Sequence, residues 1–217
     1  MHGILTSVQV GRIAPLGPDG VPSGFVKHTV DGPITVGPVG LEGDEQADLA
    51  AHGGSDKAVY GYGLSAYRRW LLEFPEHEQL LRPGGLGENL TISGLDETRV
   101  CIGDIVRIGA ATLQVTQPRQ PCFKFALRFD DPRLPQAMVA NGLCGWYYRV
   151  LDGGAIAAGD VVTLDARPNP LWPIARFYRL IATRSATHAD MAEFAVLEGL
   201  AEQWRKTARA AIGAPVA

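Results

Sequence analysis

Apolar side chains alternate with polar ones along His2–Val10, which predicts an opening strand with one face turned inward. Residues 25–30 form a second, shorter strand candidate between loops rich in glycine and proline. Residues 58–62 predict a buried strand, and residues 88–92 another, delivered by the loop Pro83-Gly84-Gly85-Leu86-Gly87. The segments 104–108 and 112–116 flank Gly109-Ala110 and predict a hairpin. Strands over 146–151 and 160–164, on either side of Asp152-Gly153-Gly154, complete the set. Gly103-Asp104-Ile105-Val106 and Gly159-Asp160-Val161-Val162 echo each other, as turn-to-strand entries do in a barrel.

Helical periodicity is confined to two regions. Tyr67, Trp70, Leu71 and Phe74 share one face of a helix that Ser65 is placed to cap and Pro75 to end. Pro168 and Pro170 then discourage both strand and helix, which sets a boundary between residues 1–167 and residues 168–217. Beyond it, Phe177, Leu180 and Ile181 mark a short helix. A second carries Met191, Phe194 and Ala195 behind a Thr187 cap, and a third carries Leu200, Trp204 and Ala208. Arg205, Lys206 and Arg209 sit late in the third, where cations suit the helix dipole. The expected class is mainly β with some α (α+β): a β-barrel followed by a small three-helix domain too short to stand without leaning on it.

The 217 residues, 46% of them hydrophobic, suffice for a core, and 26 glycines and 15 prolines argue against a helical bundle. A formal net charge of −3 without basic blocks excludes a broad nucleic-acid surface, so no nucleic-acid partner is expected. No stretch is apolar enough to span a membrane, and the first residues lack the signature of a signal peptide. The three cysteines, Cys101, Cys122 and Cys144, cannot all pair and form no CxxC, so a zinc knuckle is not expected and a reducing cytoplasm is.

Gln117-Pro118-Arg119-Gln120-Pro121-Cys122-Phe123-Lys124 is the most informative stretch. Two prolines stiffen the exit from a strand before a cysteine, and Arg119 and Lys124 flank it with charge that favours the thiolate. Such a sulfur is a soft ligand for a metal; the plainer alternative is a small core residue. In His52-Gly53-Gly54-Ser55-Asp56-Lys57 the glycines allow amides to converge on an anion and Lys57 adds charge, although most such pairs are only turns. Asn89 in Gly87-Glu88-Asn89-Leu90 offers a donor and an acceptor to a ring edge, or else satisfies a turn. Cys101 and Cys144 read as packing, and Trp146-Tyr147-Tyr148 as core and sheet surface.

Taken in order, Gly40-Leu41-Glu42-Gly43-Asp44, Asp48 with His52-Gly53-Gly54 and Lys57-Ala58-Val59, Gly87-Glu88-Asn89-Leu90, Gly103-Asp104 and the stretch 117–124 resemble the MOSC (molybdenum cofactor sulfurase C-terminal) family. The tail, with Ala175-Arg176, Leu197 and Trp204-Arg205, resembles that of its YiiM-like branch, known for resistance to 6-N-hydroxylaminopurine. The resemblance implies a MOSC β-barrel with a molybdenum–pterin cofactor, Cys122 as protein ligand to the metal, and reduction of N-hydroxylated compounds (6-N-hydroxylaminopurine, hydroxylamines, amidoximes). Arg119, His52, Gly53, Gly54, Lys57 and Asn89 are then candidates to hold the cofactor. No dinucleotide fingerprint or CxxC supplies electrons, so a separate flavin-type NAD(P)H reductase is the expected partner, with the C-terminal helices as its docking surface or simply a cover for the barrel. Sulfur transfer through a Cys122 persulfide, or cofactor carriage without turnover, are the alternatives.

Overall fold

Alternation at residues 2–10 becomes a strand because it lets Gly3, Leu5 and Val8 face inward while His2, Ile4 and Thr6 face outward. In the computed structural model, which describes residues 2–49 and 53–213, this strand closes a barrel. Seven strands form it: β1 (His2–Val10), β7 (Val59–Gly63), β8 (Leu90–Ser93), β9 (Ile105–Ile108), β10 (Ala111–Pro118), β11 (Trp146–Asp152) and β13 (Val161–Ala166). Their order is β13-β9-β10-β11-β7-β8-β1, and β1 returns to β13 through His2–Thr163 and Ile4–Val161, so no edge is left open there. All neighbours run antiparallel except β7 and β8. That parallel pair needs a crossover, which the helix α1 (Leu64–Glu73) and the loop to Gly87 provide. The short strands β2 (Ala14–Leu16) and β3 (Val21–Ser23) pair with each other, β4 (His28–Thr29) extends β1, and β5 (Ile34–Gly37), β6 (Gly40–Leu41) and β12 (Gly154–Ile156) form a separate small sheet.

The echo between residues 103 and 159 is one turn used twice. Asp104 accepts the Cys101 amide with its carboxylate at 2.9 Å and donates its own amide to the Cys101 carbonyl; Asp160 does the same with Ala157 at 2.8 Å. Gly103 and Gly159 precede them at φ of 82° and 100°, where a Cβ is unfavourable.

Several sequence expectations are corrected. Gly63, not Ser65, caps α1, because β7 runs straight into the helix and Ser65 falls within its first turn. Of residues 25–30 only His28–Thr29 is strand, while Phe25 turns into the core with its amide bonded to the Ser23 hydroxyl. Two helices stand where the pattern predicts none: α2 (Phe123–Phe129), ended by Asp130 in the left-handed conformation, and α3 (Arg133–Asn141).

Three helices follow the barrel, α4 (Ile174–Ala182), α5 (His188–Phe194) and α6 (Glu202–Ala211). Thr187 caps α5 as expected, in a reciprocal box with Asp190. Phe177 meets Phe194 with ring centres 4.5 Å apart, and Trp172 and Trp204 pack on them edge to face. Their apolar faces join the barrel interior in a single core. Among the described residues no helix is long and apolar enough to cross a membrane.

Asp104 is fully buried, and its carboxylate also binds Arg167 through Nε at 2.8 Å and Nη2 at 2.7 Å. We expect Asp104→Ala to cost about 3 kcal/mol in urea unfolding, because it removes the charge partner of a half-buried guanidinium and leaves a buried amide unpaired. Asp160→Ala, which removes the same turn bond without an ion pair, is expected to cost about 1 kcal/mol. Equal losses would contradict this account of the two turns.

Candidate functional site

Strand β10 ends at Pro118, and the next residues turn out of the sheet. Arg119 points back beneath the barrel mouth and Cys122 stays half-exposed at the N-cap of α2. Between them lies a cleft of about 570 Å³, open mouth included. Cys122, Arg119, Lys57 and Asn89 all line it, so four of the expected site residues meet in one place. Gly53 and Gly54 do not join them; with Lys57 and Gln203 they border an adjoining depression, where Gly54, at φ 91°, starts the short turn Ser55–Lys57. His52 lies outside the described residues.

Arg119 is 6% exposed. Its Nη1 donates to the Leu86 carbonyl at 2.6 Å, and its guanidinium sits 4.9 Å from the Phe25 ring centre and 5.0 Å from that of Tyr60. Among the described residues no carboxylate forms an ion pair with it. Burial disfavours the charge, but Tyr60, Tyr147 and Cys122 around it more than offset that and hold its pKa raised, so Arg119 is a fixed cation in the cleft wall that suits an anion.

Three residues of this cleft were not among the expected site residues. Asp44 is the hub: it accepts the Gly11 amide at 2.7 Å, pairs with the buried ammonium of Lys27, and accepts the Asn89 amide at 2.9 Å. Burial lowers the Lys27 pKa, against the pull of Asp44. Tyr147, expected in the sheet surface, lines the cleft beside Cys122, and burial raises the pKa of its phenol. Trp146 and Tyr148 fill the barrel, and strand alternation turns Tyr147 to the opposite face.

Asn89 donates to Asp44 and to the Gln9 carbonyl at 3.2 Å and accepts from the Tyr60 amide at 3.0 Å. Its amide thus braces the cleft wall. Lys57 is partly buried, which lowers its pKa despite Asp56 and Asp48 nearby. Lys124 is buried and bound to the Pro22 carbonyl at 2.9 Å. Cys101 and Cys144 are buried, with burial raising both thiol pKa values, as suits packing residues.

The donor set fits an anionic, thiolate-ligated cofactor: a half-exposed sulfur, a buried arginine lacking a counter-ion, and lysines at the wall. The family profile described as MOSC domain matches residues 48–163. Protein YiiM of Escherichia coli (strain K12) is 43% identical over 160 residues, covering 74% of this chain and 71% of that protein. A protein named Reductase from Gibberella moniliformis (strain M3125 / FGSC 7600) is 38% identical over 194 residues; the match takes in 88% of this chain but 34% of that protein, so the chain spans about a third of its length. The crystal structure of YiiM from Geobacillus stearothermophilus superposes with a TM-score of 0.80 at 31% identity, over 97% of this chain and 99% of that one. The chain belongs to the MOSC domain family, in its YiiM-like branch.

Proposed function

We propose that the chain binds a molybdenum–pterin cofactor through Cys122 and reduces N-hydroxylated small molecules to amines or amidines. The observation that carries this reading is the buried, carboxylate-free guanidinium of Arg119 in the same cleft as a half-exposed thiol. The MOSC profile and the fungal relative's name, Reductase, point the same way at a coarser level, toward molybdenum-cofactor or reductase chemistry.

When bound, the cofactor supplies two-electron removal of oxygen from an N–OH group. The Cys122 thiolate is the protein's soft donor to the metal, and Arg119, with Lys124 in the wall, balances the negative charge of pterin and phosphate. Lys57 stands at the rim of both this cleft and the one on the other side of Cys122. Its lowered pKa makes its Nζ a readier proton donor to the departing oxygen. The balance is an N-hydroxy compound plus two electrons and two protons, giving the amine and water. The electrons come from a separate flavin-type NAD(P)H reductase, since the sequence carries neither a CxxC nor a dinucleotide fingerprint.

Cys122→Ser is expected to remain folded yet purify without molybdenum, because it exchanges a soft ligand for a hard one of similar size. Metal analysis of protein from cofactor-competent cells, with Cys101→Ser retaining metal as control, checks this. Molybdenum absent from the wild type sinks the reading. A persulfide on Cys122 in mass spectra favours sulfur transfer, and bound molybdenum without reduction of 6-N-hydroxylaminopurine by a chemical reductant favours a carrier.

Lys57→Met is expected to lower kcat for 6-N-hydroxylaminopurine by about 100-fold at neutral pH, the usual scale of a lost general acid. Its molybdenum content should change far less. An unchanged kcat would remove Lys57 from the proton path.

A further inference from the structure

A further cleft lies in the seam between α1, the C-terminal end of α3 and one face of α4. It shares no lining residue with either space beside Cys122. With its open mouth it takes in about 1080 Å³. Its charged lining residues are Arg69 from α1, Arg176 and Arg179 from α4, and Glu97.

We propose that this cleft binds a small organic phosphate, its phosphate group held by the three arginines and its organic body laid against the apolar wall. The proposal stands apart from the chemistry read at Cys122.

The arginines are the first support. Among the described residues neither Arg69 nor Arg179 forms an ion pair. Arg176 is anchored: its Nη1 donates to the Leu171 carbonyl at 2.9 Å, its guanidinium lies 3.7 Å from the Trp172 ring centre, and Asp190 stands 3.5 Å from its Nη2. Arg176 and Arg179 are three residues apart on one helix, so their side chains are neighbours of like charge. An anion between them turns that repulsion into attraction, and a guanidinium fork matches phosphate oxygens with paired bonds.

Nearby acids do not cancel this charge. Glu97 is 5% exposed, and its Oε1 accepts the Gly145 amide at 2.8 Å. Burial raises its pKa, which weakens its hold on a negative charge; Arg69 pulls the other way, but through space and without an ion pair. Glu73, one turn on from Arg69, accepts from Asn141 Nδ2 at 3.2 Å.

Between the charges the wall is apolar. Val139, near the end of α3, is 44% exposed, and Ala140, Leu143 and Ala175 line the cleft with it. A bare ion leaves that surface in water, whereas an organic body covers it. The frame is preformed. The Tyr178 hydroxyl donates to the Met138 carbonyl at 3.3 Å, which ties α4 to α3, and the Ala175 amide donates to the Glu97 carbonyl at 2.8 Å.

The test is calorimetric titration of the full chain with phenyl phosphate at fixed ionic strength, beside inorganic phosphate and benzyl alcohol. Phenyl phosphate should bind the wild type, and Arg69→Ala and Arg179→Ala should each weaken it about 10-fold, the scale of one charge-assisted hydrogen bond. Both side chains are exposed, so both variants should keep the fold. Arg68→Ala, which removes an exposed charge outside the cleft, and Lys57→Met, in the wall of the Cys122 cleft, should leave the affinity unchanged. Inorganic phosphate should bind more weakly and benzyl alcohol not at all. No binding of phenyl phosphate, an affinity indifferent to Arg69 and Arg179, or an equal loss in Arg68→Ala overturns the site. Equal affinity for inorganic phosphate overturns the organic body, and equal affinity for benzyl alcohol overturns the part given to the arginines.

Discussion

A guanidinium removed from water with no carboxylate to balance it is the constraint on which this site depends. Arg119 is held between the faces of Phe25 and Tyr60 and by one carbonyl, Leu86. Cation–π contacts of this kind contribute about 2 kcal/mol each when desolvated, well short of the cost of burying an ion. The structure keeps other charge from cancelling it. Asp44, a buried carboxylate of the cleft wall, is saturated by Lys27, Asn89 and the Gly11 amide. Arg119 is therefore left as a fixed cation in the cleft wall, a feature that suits an anionic ligand.

The chain between Arg119 and Cys122 is short and stiffened by Pro121, so the cation and the sulfur are delivered together by the end of one strand. The sulfur then stands between two spaces, one richly charged with Arg119, Lys27, Lys124 and the acids Asp44 and Glu45 in its wall, the other walled by Phe123, Tyr147 and Trp204. The tail helices, which look like a cover for the barrel, supply Trp204 and Gln203 to that second side.

The barrel was legible because its strands carry their own signal: alternation at residues 2–10, the hairpin around Gly109-Ala110, and the paired aspartate turns are all local. The helices α2 and α3 were not. In α2 apolar residues fall at 123, 125, 126, 127 and 129, a run without a clean period. In α3, Pro135 sits in the first turn, a place where proline is tolerated but which reads as a break in sequence. Cys122, Arg119, Lys57 and Asn89, which line one cleft, could be picked out because each lies in a distinctive short motif. Lys27 could not, and Asp44 was noticed only within Gly40-Leu41-Glu42-Gly43-Asp44 and given no role, since their bonds span 17 to 45 residues. Tyr147 did leave one: between two inward aromatics, the two-residue period of a strand already turned it the other way.

X-ray absorption at the molybdenum edge of the purified protein reads the central claim most directly, because it identifies the atoms bound to the metal. The account predicts a sulfur ligand beyond those of the pterin dithiolene, furnished by Cys122. A spectrum in which the cofactor's own sulfurs are the only ones, with oxygen or nitrogen from the protein in the remaining place, would contradict it.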